Sequence, residues 1–117
     1  MINTEHLEEY LPLLGIEKLT HMWETYYSET LAGLNTQATR WILQEDRLLL
    51  RNFFHSRRAG ALTFGMTGFA ADCEAAEEHL AAGGGVEVTS SRLAAMANLF
   101  AKEAEAVKIY LKERSHD

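Results

Sequence analysis

Apolar residues recur at spacings of three and four along almost the whole chain, and any fold must bury the stripes that this period produces. Leu7, Leu11 and Leu14 make a short first stripe. Leu19, Met22, Trp23, Tyr26, Thr30 and Leu34 make a second, which continues through Ala38, Trp41 and Ile42 without a strong breaker. Leu50, Phe53, Phe54, Arg57 and Ala61 trace a third face, apolar apart from Arg57. Phe69, Ala70, Cys73, Ala76 and Leu80 form a fourth, and Leu93, Met96, Ala97, Phe100, Ala104, Val107 and Leu111 the last. The composition agrees: 16 Ala, 16 Leu and 14 Glu stand against 4 Ile and 3 Val, which favours helix formers over the β-branched residues of strands.

Punctuation divides these stripes. Asn3 or Thr4 is placed to cap a first helix with Glu5, Glu8 and Glu9 near its positive end, and Pro12 and Gly15 are expected to stop or bend it. One long helix is expected over about 16 to 44, irregular near Gly33-Leu34-Asn35. Asp46 reads as the N-cap of a third helix ending near Thr63-Phe64-Gly65. A fourth runs from about 66 to the Gly83-Gly84-Gly85 run, and Ser90 or Ser91 reads as the cap of the last. Ser115-His116-Asp117 reads as a frayed tail. The expectation is one all-α domain over 1–117: an antiparallel four-helix bundle with a short additional N-terminal helix.

Charge and special residues exclude several functions. A net charge of −6 argues against nucleic acid or an anionic membrane surface as the main partner. The single Cys73 rules out an internal disulfide and a cysteine zinc cluster, and reads as a small buried apolar residue. No apolar run approaches the about 20 residues that span a bilayer, so a cytoplasmic chain is expected.

Of the five histidines, His6 and His79 lie in polar contexts, His116 is in the tail and His21 borders the apolar stripe of the long helix. No two lie three or four apart, so a histidine-based metal site is not expected. His55 differs. It lies about 100° round the helix from Phe54 and about 200° from Phe53, so it points outward if those two face the core. Its neighbours at three and four positions are Arg51, Asn52, Arg58 and Ala59. An exposed imidazole is largely neutral at cytoplasmic pH, so one ring nitrogen can attack an electrophile, and nearby arginines favour arriving phosphoryl oxygens. Ala59, Gly60 and Ala61 are small enough to let a partner approach. Arg51 and Arg57 are weaker candidates than Arg58 for balancing phosphate charge, while Leu48, Leu62 and Met66 could form an apolar docking patch or simply pack at the edge of the domain.

The stretch His55-Ser56-Arg57-Arg58-Ala59-Gly60-Ala61-Leu62-Thr63-Phe64-Gly65-Met66 resembles the signature of histidine phosphotransfer (HPt) domains of two-component relays. That pattern has a phosphorylated His, a basic residue three on, a Gly or small residue four on, and a Gly ten on before the next helix. His55, Arg58, Ala59 and Gly65 stand at those positions, and the order of elements is similar over nearly the whole chain. Three positions depart from the usual residues: Ala59 replaces a Gly, Arg58 a Lys, and Glu77 stands where many members place a Gln that bonds near the histidine.

The resemblance implies a relay intermediate with no kinase activity of its own. His55, through Nε2, would take a phosphoryl group from the aspartate of a receiver domain, in a response regulator or a hybrid sensor kinase, and pass it to another. It implies no cofactor in this chain, since magnesium would belong to the receiver, and a monomer is expected. Against it stands an alternative of another class: a non-phosphorylated, HPt-like helical module that binds receiver or kinase domains, which Ala59 and Glu77 keep open.

Overall fold

The computed structural model describes residues 2–115, which are helical except for short connections. Helix α1 (Glu5–Leu14) is followed by α2 (Ile16–Ala32), a π-helical turn (Gly33–Gln37) and α3 (Ala38–Leu43), then α4 (Arg47–Thr63), α5 (Thr67–Ala81) and α6 (Val86–Ser115). There is no strand among the described residues. Nor is any helix among them long and apolar enough to cross a membrane.

The expected caps can be checked atom by atom. Thr4 holds the N-cap position of α1 without a side-chain bond, and Asn3, one residue before it, supplies one: its Oδ1 accepts from the Glu5 N–H at 3.0 Å. Pro12 sits inside α1 without ending it, and Gly15, at φ +82°, is where the helix stops. The long helix runs from Ile16 to Leu43 through the π-helical turn, which falls on Gly33 and Leu34 as the sequence indicated. There the Ala38 N–H reaches back five residues to the Gly33 carbonyl. The Phe53 ring lies so close to Gly33 that a side chain at that position would overlap it. Asp46 caps α4, its Oδ1 accepting from the Leu49 N–H at 3.1 Å.

The start of α6 differs from the expectation. The helix begins at Val86, so Ser90 and Ser91 lie inside it and neither is its cap. Tertiary contacts close the preceding loop instead. His79 Nε2 donates to the Gly85 carbonyl at 3.0 Å, and the Arg47 guanidinium donates to the carbonyls of Leu80 and Gly84. The expected frayed tail falls on His116 and Asp117, outside the described residues, whereas Ser115 still belongs to α6.

Helix α5 lacks a local cap, because Met66 precedes it. Glu103 of α6 serves in its place: one carboxylate oxygen accepts from Gly68 N–H at 3.1 Å and the other from Phe69 N–H at 2.7 Å. This carboxylate is 6% exposed and ties the middle of α6 to the start of α5. The aromatic core sits nearby. Trp23, Tyr26 and Tyr27 of α2 meet Phe64 and Phe100, and Phe100 also meets Phe69 at 4.9 Å between ring centres. Thirty residues at about 1.5 Å each make α6 about 45 Å long, close to the 47 Å length of the molecule, and it packs against α2, α3 and α5. Cys73 is fully buried in this core, and burial pushes its thiol up to about 12, as suits an inert packing residue.

Candidate functional site

Helices α4 and α5 form an antiparallel pair joined by Phe64-Gly65-Met66, and that pairing builds the site. Gly65 makes the turn at φ +76°, and a side chain there would strike the Asn3 carbonyl. Its own carbonyl accepts from the Asn3 N–H at 2.8 Å, so the N-terminal segment clamps the turn. On α4, Leu50, Phe53, Phe54 and Ala61 are buried, which aims His55 outward. The imidazole is 71% exposed.

Its Nδ1 lies 2.7 Å from Oε2 of Glu77, on the facing turn of α5. An ionised carboxylate can only accept, so the proton of this bond belongs on Nδ1, which in the neutral ring leaves the lone pair on Nε2. Nε2 has no hydrogen-bond partner among the described residues and opens to solvent. Glu77 is largely shielded, and its other oxygen lies 3.8 Å from Nη1 of Arg58. Glu77 thus bridges imidazole and guanidinium: it orients the ring, and Arg58, 35% exposed, stands one turn on from His55.

The remaining expected residues divide between the crest of α4 and its packed sides. Arg51, Asn52, Ala59 and Leu62 are exposed on the crest, one or two turns from His55. Arg51 makes no hydrogen bond or ion pair among the described residues. Leu48, 63% exposed, and Leu62, 43% exposed, stand seven residues to either side of His55 and give the crest apolar ends.

Three expectations require correction. Met66 is fully buried and forms no part of a docking patch. Gly60 and Ala61 are small because they pack: the Tyr26 ring lies against Gly60, and Ala61 is in the core, which leaves Ala59 as the small residue beside His55. Arg57 faces away from His55. Its guanidinium lies over the Tyr26 ring at 5.2 Å, donates to Thr30 Oγ1 at 3.2 Å and pairs with Glu29 at 3.6 Å, while the Tyr26 hydroxyl donates to the Arg57 carbonyl at 2.7 Å. One residue, about 100° of helix, separates this packed arginine from Arg58.

Sequence reasoning did not anticipate what Glu77 does. The sequence placed Glu77 where the resemblance would put an amide donor, and its carboxylate takes the opposite part, accepting from the ring. The signal was available, since an acid on the turn of α5 facing an exposed histidine has an N–H to receive. A second signal lay in the stripes: Thr30 and Arg57 are each a polar residue on an apolar face, and they meet each other. In comparisons with protein-family models, curated proteins and solved structures, the chain matches none.

Proposed function

We propose that the chain is a histidine phosphotransfer domain, a relay intermediate that takes a phosphoryl group from a receiver-domain aspartate onto His55 and passes it to the aspartate of a second receiver. The observation that carries this reading is the ring of His55, exposed, protonated on Nδ1 by its bond to Glu77 and open at Nε2. Glu77 has removed the tautomeric choice, so the nucleophilic lone pair is always the outward one.

In the transfer, Nε2 attacks phosphorus in line. The Nε2–P bond forms as the P–O bond to the partner's aspartate breaks, and the aspartate departs as a carboxylate. The second transfer reverses these roles. Phosphoryl transfer needs mainly position and charge balance, which Arg58 and Arg51 supply from one turn to either side of the histidine. Asn52, Ala59, Leu48 and Leu62 complete the face a receiver would cover. Magnesium and the kinase chemistry belong to the partners.

In this reading α2 with α3, α4, α5 and α6 form an antiparallel four-helix bundle, with α1 and the Asn3 clamp across one end. Such a domain works as a monomer in the cytoplasm, where receivers are found. The test is incubation with a phosphorylated receiver, following acid-labile, alkali-stable label in variants of each of the five histidines. Loss of label in His55→Gln alone supports the reading. Label that persists in His55→Gln refutes it, and receiver binding without any transferable phosphate would favour a module that only binds.

A further inference from the structure

Glu77 can act on the phosphorylated state as well as on the free ring. Resting on the phosphotransfer reading of His55, we infer that Glu77 is a positioning residue that keeps the phosphorylated ring protonated and thereby gives the phosphoryl group a short lifetime.

The argument starts from what each partner can donate. Once Nε2 carries phosphorus, a ring that keeps its Nδ1 proton is a cation, and a ring that loses it presents a lone pair on Nδ1. That lone pair would face the Glu77 carboxylate at hydrogen-bond distance, two acceptors opposed. An amide at this position could turn over and donate to the bare nitrogen, whereas a carboxylate cannot. Glu77 therefore favours the protonated phosphoimidazole.

Protonation governs the leaving group. When water or a partner carboxylate attacks phosphorus, the new P–O bond forms, the P–N bond breaks and its electron pair returns to Nε2. A ring protonated on Nδ1 leaves as neutral imidazole; an unprotonated ring must leave as an imidazolide anion, a far poorer leaving group. When water is the acceptor, its proton passes to solvent and the product is inorganic phosphate.

Among the charges nearest in sequence position on the two helices, Arg51 and Arg58 lie one turn to either side of His55 on α4 and oppose the ring's positive charge, and Glu74 lies one turn before Glu77 on α5 and favours it. Glu77 is the group in direct contact. Arg58, one turn from His55 and 3.8 Å from the second Glu77 oxygen, carries the charge that phosphoryl oxygens would compete for with that carboxylate.

The experiment loads the wild-type chain, Glu77→Gln, Glu78→Gln and His55→Gln with phosphoramidate, removes the donor and follows decay of phosphate on the peptide containing His55 from pH 6 to 9. In the wild type, decay should stay fast to higher pH than in Glu77→Gln, with rates near pH 8 about tenfold apart. Glu78→Gln, an exposed acid on the same helix, should decay like the wild type. Equal decay profiles in wild type and Glu77→Gln, or a change that scales the rate equally at every pH, overturn the inference and leave the phosphotransfer reading standing. No phosphate on His55 in the wild type overturns both.

Discussion

The two faces of α4 differ in almost every respect although they share one helix. The inner face, Leu50, Phe53, Phe54 and Ala61, is packed on all sides, and its neighbours at Gly33 and Gly60 have no room for a side chain. The outer face, from Leu48 through His55 to Leu62, is mostly exposed and is held to α5 through Glu77, which bonds His55 and pairs with Arg58. Arg57 and Arg58 are adjacent in sequence and fall on opposite sides of this divide. The difference teaches how one helix divides its labour: rigidity comes from the buried face, so the exposed face is free to carry charge.

If that division is real, substitutions on the inner face should change stability and leave His55 chemistry intact in the molecules that remain folded. Phe54→Ala should have the largest effect, a loss of about 3–5 kcal/mol in urea unfolding, because it empties a fully enclosed aromatic site. Glu103→Ala should cost about 2 kcal/mol, since it strips the buried N–H groups of Gly68 and Phe69 of their acceptor.

The paired arginines provide the sharpest comparison. Arg57→Met should lower stability by about 1–2 kcal/mol through loss of its bond to Thr30 and its place on Tyr26, with little change in phosphate uptake per folded molecule. Arg58→Met should stay within about 0.5 kcal/mol of the parent and slow phosphate uptake about tenfold. Similar behaviour of the two variants in both assays would erase the distinction between the faces.

The smallest expected effect lies far from α4. The Tyr110 hydroxyl and the Arg114 guanidinium beside it hold Glu8 below the usual carboxylate range, tying α1 to the end of α6. A depressed acid contributes stability that is full above its unfolded value and is lost as pH falls through the lowered one. Thermal melts below pH 4.5 should therefore show a decline that Glu8→Gln lacks.

Much of this was legible in the sequence wherever the deciding physics is local. The period of three and four located the helices, Asp46 announced its cap, the pair Asn3 and Thr4 announced the start of the first helix, and Gly33 marked the irregular turn of the long helix. His55 could be aimed outward from Phe53 and Phe54 alone. What was not legible depends on partners distant in the chain. Ser90 and Ser91 looked like caps because nothing nearby shows that Arg47, from another helix, and His79 close the loop ahead of Val86. The α5 cap arrives from Glu103, thirty-four residues beyond Phe69. Arg57 stood as a weaker candidate for balancing phosphate charge until α2 supplied Tyr26, Thr30 and Glu29 to hold it.

The central claim, that Nε2 of His55 receives the phosphoryl group because Glu77 holds Nδ1, can be read directly by nuclear magnetic resonance. A chain with 15N-labelled histidine, phosphorylated by a receiver, should show phosphorus coupled to His55 Nε2, with Nδ1 still protonated. Phosphorus on Nδ1, on another histidine, or on none would contradict it.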